Sequence, residues 1–157
     1  MSIKNINLIN KTWYLYLQQL EYHKGKIMAA GNYTFTIEQG ATTDFEIQWN
    51  DSAGDPVDLT NYHGRMQIRS DYGGTLICTL TSSAVGIPGD SDGTGLNLSG
   101  SNSAKIPPSG SIGVVISAAS SSAFTFDEAR YDLELVSGTT VTRLLQGKVK
   151  LSKEITT

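Results

Sequence analysis

Asp90-Ser91-Asp92-Gly93-Thr94-Gly95 comes nearest to a metal-ligand spacing, because alternating carboxylates followed by glycine open a calcium-binding EF-hand loop. The remainder of that loop is missing. Its twelfth position, counted from Asp90, is Ser101 where a bidentate glutamate is needed, and neither flank reads as helix. A solvated loop is expected. Nucleophilic catalysis requires a base beside a serine or cysteine, but the histidines are His23 and His63, and no Gly-x-Ser-x-Gly elbow presents a nucleophile near the Asp58 and His63 pair. Cys78 shares a phase with Leu76 and Leu80 and reads as a small buried hydrophobe. Gln146-Gly147-Lys148 ends like a phosphate-binding loop, yet Val149 stands where serine or threonine is required. Arg65, Arg69 and Arg143 are expected to line solvent faces. No catalytic residue, cofactor or metal site is expected.

The totals bound the fold and leave the function open. The chain has 157 residues, 39% hydrophobic and 17% charged, which suits one domain built of short strands and many turns. A formal net charge of −3 leaves no cation excess to displace counterions from phosphates, so nucleic acid is not an expected partner. The single cysteine excludes an intrachain disulfide and a cysteine-based zinc cluster. No run approaches the ~18–20 apolar residues that span a bilayer, and no signal peptide is evident, so a soluble protein without a membrane partner is expected.

From Gly31 onward the apolar period is two. Tyr33, Phe35 and Ile37 alternate with polar residues; Gln39-Gly40 then turns the chain into Phe45, Ile47 and Trp49, and the two runs read together as a hairpin. Asn50 to Pro56 is a loop. Met66 and Ile68 predict a third strand, Asp71-Tyr72-Gly73-Gly74 a hairpin turn, and Leu76, Cys78 and Leu80 a fourth strand. Short strands follow around Leu96–Leu98 and Ile112–Ile116, and Ser117 to Ser122 fits one turn of helix or a plain loop. Tyr131, Leu133 and Leu135 precede a Ser137-Gly138 turn and a long last strand from Val141 to Leu151, in which Gly147 marks a bulge or a close approach. About eight short strands with almost no helix predict an all-β, two-sheet antiparallel β-sandwich over residues 31–157.

Residues 1–30 differ. Lys4, Lys11, Lys24 and Lys26 stand against Glu21 alone, and Trp13, Leu17 and Leu20 fall three to four apart as one helical stripe would, with Tyr14 beside them. This stretch is either an arm carrying a short amphipathic helix or a leader ahead of a true start at Met28. If it is an arm, Trp13, Tyr14, Leu17 and Leu20 are candidate interface residues, and Tyr72 in its turn is another.

Several phrases in succession carry a resemblance: Tyr33-Thr-Phe-Thr-Ile-Glu-Gln-Gly40, Asp55-Pro-Val-Asp-Leu-Thr-Asn-Tyr62, Arg65-Met-Gln-Ile-Arg69, Tyr131-Asp-Leu-Glu-Leu135, Leu144-Leu-Gln-Gly-Lys-Val149 and Ser152-Lys-Glu-Ile-Thr156. From about Met28 to the carboxyl terminus the chain resembles a family of tailed-bacteriophage virion proteins that includes domains similar to the amino-terminal domain of upper baseplate proteins. The resemblance implies an immunoglobulin-like sandwich in the virion, an adaptor attaching fibres to the tail, baseplate or neck, and no enzymatic role. It implies other virion proteins as partners and a homo-oligomer in the particle. With the chain ending at Thr157, no carboxy-terminal fibre domain is expected. A capsid-decorating protein is the nearest rival; a carbohydrate-binding module using exposed aromatics is a more distant one.

Overall fold

The computed structural model describes residues 6–9, 12–17, 30–82, 92–98 and 110–155, the first two segments as backbone pairing only. Strands dominate it. The elements are β1 (Ile6–Ile9), β2 (Thr12–Leu17), β3 (Gly31–Asn32), β4 (Phe35–Glu38), β5 (Thr43–Trp49), β6 (His63–Arg69), β7 (Leu76–Thr81), β8 (Gly95–Asn97), β9 (Ser111–Ile116), α1 (Ala118–Ser122), β10 (Glu128–Ser137) and β11 (Thr140–Ser152). They form two sheets, β1-β2-β5-β9-β8 and β3-β11-β10-β6-β7, with β4 continuing β3 along β11. The architecture is sandwich-like, and both sheets are mixed. β2 runs parallel to β5, and β3 and β4 run parallel to β11, while the other pairings are antiparallel.

Period-two alternation places one apolar face of each sheet inward. Phe45, Ile47, Trp49, Ile112, Val114 and Ile116 from the first sheet meet Phe35, Ile37, Met66, Ile68, Leu133 and Val149 from the second in one buried cluster. Each such side chain contributes roughly 1.5–3 kcal/mol when fully buried, which lets the fold hold without a disulfide. Phe35 joins the sheets directly, its ring 5.0 Å from Phe45 and 5.1 Å from Tyr131.

Two expectations are corrected here. Phe35–Ile37 and Phe45–Trp49 do not form a hairpin, because β4 pairs with β11 in one sheet and β5 pairs with β9 in the other. The turn between them is a corner that carries the chain across the sandwich. Gln39 holds that corner, its side-chain amide donating to the Phe124 carbonyl at 2.8 Å. The amino-terminal helix is also replaced: Thr12–Leu17 is a strand paired with β5, with Leu15 opposite Ile47 and Leu17 opposite Trp49. Aromatic residues suit a pleated surface, and the open ladder of β5 satisfies backbone groups that a short isolated helix would leave to water. Leu20 lies outside the described residues.

Other elements follow the sequence closely. Ser117 to Ser122 forms one helical turn, capped by Ser117, whose side chain accepts from the Ser120 amide. Gly147 is a close approach: a Cβ there would lie 2.0 Å from the Tyr33 carbonyl oxygen. The irregularity in the last strand falls instead beside Leu144, between the Leu133–Leu145 and Glu134–Arg143 pairs. Leu76 leaves the phase of Cys78 and Leu80 because the register shifts between Ile68 and Arg69, and it is exposed; Cys78 is half-buried.

Candidate functional site

The outward face of the six-stranded sheet gathers all four arginines of the chain, Arg65, Arg69, Arg130 and Arg143. Strand register sets the pattern. In one row across β6, β10 and β11 stand Arg65, Glu134 and Arg143; in the next, Gln67, Asp132 and Gln146; in the third, Arg69, Arg130 and Lys148. In the first row both arginines share one carboxylate. Arg65 reaches Glu134 at 2.6 Å and Arg143 reaches it at 3.2 Å, with Arg143 also 3.4 Å from Asp132. Partial burial opposes ionisation of Glu134, but hydrogen bonds from Arg65 and Arg143 outweigh it and hold the carboxyl below its usual range.

The third row sets three cations side by side, an arrangement that costs stability unless anions answer it. Arg130 is answered by Asp71 at 3.0 Å, and Lys148 by Glu128 at 2.7 Å across the diagonal. Arg69 instead donates to the Gly74 carbonyl and to Gln67. The hairpin turn beyond Arg69 is firmly tied: Ser70 donates its amide to Thr75, Gly74 donates to Asp71, and Gly73 takes a positive φ of 69°. Asp71 accepts from the Tyr72 amide as well as from Arg130, and both bonds lower its pKa.

Tyr72 is thereby displayed at the rim, 77% exposed, with the Arg130 guanidinium 4.8 Å from its ring centroid. Three arginines (Arg69, Arg130, Arg143), two aspartates (Asp71, Asp132), Gln67, Gln146 and Tyr72 border a depression of about 270 Å³. Guanidinium groups outnumber carboxylates in it by three to two, and side-chain amides and one exposed aromatic complete its lining. Arginine and tyrosine are also the residues that most often anchor protein–protein contacts.

The sequence-derived interface candidates do not form one patch. Trp13, Tyr14 and Leu17 lie in β2, where Tyr14 pairs with Glu46 and Leu17 with Trp49 in the five-stranded sheet, while Tyr72 belongs to the other sheet. Arg65, Arg69 and Arg143 face outward as expected. Arg130 was not separable by sequence from any other polar residue of its strand; only the register reveals it opposite Arg69 and Lys148.

The acidic run ending in Asp92 has a structural use. Its carboxylate accepts from the Ser117 hydroxyl at 2.5 Å, the Thr94 amide at 2.9 Å and the Ser120 hydroxyl at 2.7 Å, tying the start of β8 to the α1 cap. These bonds, Ser117 first, push its pKa far down. Among the described residues no group of three or more histidine, cysteine, aspartate or glutamate side chains could hold a metal. Nor is any described helix long and apolar enough to cross a membrane. Asp58 turns to Thr60 rather than to His63.

No protein-family model matches the chain, and no curated protein matches its sequence.

Proposed function

We propose that this chain is a non-enzymatic structural protein of a tailed-bacteriophage virion, an immunoglobulin-like domain making assembly contacts at the tail, baseplate or neck. The observation that carries this reading is where the phrases resembling that family fall in the fold. Tyr33, Tyr131 and Gly147 meet at one backbone oxygen, and Tyr62 packs its ring edge-on to Trp49 with centroids 5.7 Å apart. The Gln39 corner and the start of β6 complete the set. The phrases therefore mark positions that lock a two-sheet sandwich, as a shared architecture would require.

The polar side chains support the same reading. Asp58 is committed to Thr60 in its own loop, Asp92 to Thr94 and to the hydroxyls of Ser117 and Ser120, and His63 is an exposed residue at the start of β6. What the surface offers is contact chemistry, an arginine-rich face with an exposed tyrosine. Purified virions separated into heads and tails, with each fraction examined by mass spectrometry, test the proposal. The chain is expected in the tail fraction; recovery with heads would make it a capsid-decorating protein, and absence from both would overturn the virion reading.

A further inference from the structure

We infer that the depression around Arg69, Tyr72 and Arg130 receives the acidic loop between β5 and β6 of a second copy of this chain. The inference rests on reading the chain as an assembly protein, and it names the partner of that surface. Charge is the first ground. The outward face of the six-stranded sheet carries six cations (Arg65, Arg69, Arg130, Arg143, Lys148, Lys150) against five anions (Glu38, Asp71, Glu128, Asp132, Glu134), a surplus of one in a chain whose net charge is −3. Among the described residues the remaining cation is Lys153, and it is paired with Asp127 at 2.7 Å. The acidic excess therefore lies elsewhere on the same molecule.

Its most prominent described concentration is Asp51, Asp55 and Asp58, with no cation from Asn50 to Tyr62. Shape is the second ground. Asp51 and Asp55 close the loop backbone, the Asp51 amide donating to the Asp55 carbonyl at 2.8 Å and the Gly54 amide to the Asp51 carbonyl at 3.1 Å. The Asp51 carboxylate accepts the Ala53 and Asp55 amides. Ser52, Ala53 and Gly54 make a narrow, exposed tip without bulky side chains. Such a preformed knob enters a depression of about 270 Å³ with little ordering cost, presenting the exposed Asp55 to guanidinium groups.

Topology makes the contact intermolecular. The loop precedes the His63 end of β6, whereas the Tyr72 turn follows its Arg69 end, so the seven-residue strand separates them by roughly 20 Å. A chain cannot fill its own depression. Knob and depression are different surfaces, so the contact either repeats head to tail into a ring or an open filament or closes reciprocally about a two-fold axis.

Sedimentation velocity of the full chain at low and high salt tests this, with Arg130→Glu, Lys148→Glu and Asp55→Lys compared with the parent. The parent is expected to associate reversibly at low salt and to dissociate at high salt, because exposed charge pairs are screened. Each single reversal is expected to weaken association about tenfold or more, in line with several kcal/mol for like charges brought together. Mixing Arg130→Glu with Asp55→Lys, or combining both in one chain, restores it. Unchanged thermal melting of each variant confirms an intact fold, and the Lys148→Glu variant keeps Arg130 in place. A parent that stays monomeric at low salt, or a mixture that fails to recover association, overturns the inference. Either result leaves location in the particle untouched, since that is read from fractionated virions.

Discussion

The Tyr131 hydroxyl donates to the Tyr33 carbonyl at 2.9 Å, across 98 residues of sequence, and that carbonyl also lies where a side chain at position 147 would begin. Tyr131 and Gly147 are register partners on β10 and β11, so two strands and the link between β3 and β4 converge on one oxygen. Burial raises the Tyr131 pKa and keeps its proton available for donation. The Tyr33 amide completes the junction by donating to the Gln146 carbonyl at 3.0 Å.

Substitution at this junction separates steric from polar contributions. Gly147→Ala forces backbone apart at Tyr33, and overpacking of this kind costs about 1–3 kcal/mol. Tyr131→Phe keeps the ring and removes only the hydrogen bond, at a cost of about 1 kcal/mol. Urea unfolding monitored by tryptophan fluorescence is expected to rank Gly147→Ala as the more damaging; the reverse order would mean that the chain yields easily around position 147.

Ser117 both caps α1 and donates to Asp92. Ser117→Ala removes the cap and is expected to destabilise the protein by about 1 kcal/mol, typical for loss of a serine cap. In a chain of this size that corresponds to roughly 2–4 °C in the melting temperature. An unchanged melting temperature in calorimetry would show that the cap and its carboxylate contribute nothing net.

The acid limb of stability has a definite sign. Asp92, Asp71, Glu128 and Glu134 all have folded-state pKa values below their ordinary ones, so their contribution is fully present above the unfolded values near 4 and is lost as pH falls through the folded ones. Asp44, raised by burial and by Glu46, works in the opposite direction. Melting temperature is therefore expected to change little from these groups between pH 7 and pH 5 and to fall below about pH 4. Asp92→Asn is expected to flatten that fall; an equally steep decline in the variant would remove Asp92 from the explanation.

The pairing of Thr12–Leu17 with β5 gives the amino-terminal segment a measurable role. Hydrogen exchange of the full chain is expected to protect the Glu46–Trp49 amides that face β2, and a variant beginning at Met28 is expected to lose protection at those facing β2 alone. Equal protection in both proteins would show that β5 does not depend on β2.

Strands with one buried face were legible because alternation survives translation into structure residue by residue: Met66 and Ile68, Ile112 to Ile116, and Tyr131 to Leu135 all lie inward as their spacing predicts. The corner after Ile37 was not, since glycine and polar residues serve equally to reverse a hairpin or to carry a chain between sheets, and only the partners of β4 and β5 distinguish them. Trp13 and Leu17 satisfy a helical stripe and, with Leu15, a strand; the free edge of β5 decides. The outward direction of Arg65, Arg69 and Arg143 could be read from neighbours. Their convergence with Arg130 could not, because it depends on the register of three strands that are distant in sequence.

The central claim concerns position in a particle, and electron cryomicroscopy of intact virions measures it most directly. Density matching this two-sheet domain is expected at the tail, baseplate or neck, in symmetric copies joined by protein contacts. Density confined to the head shell, or particles without the domain, would contradict the account.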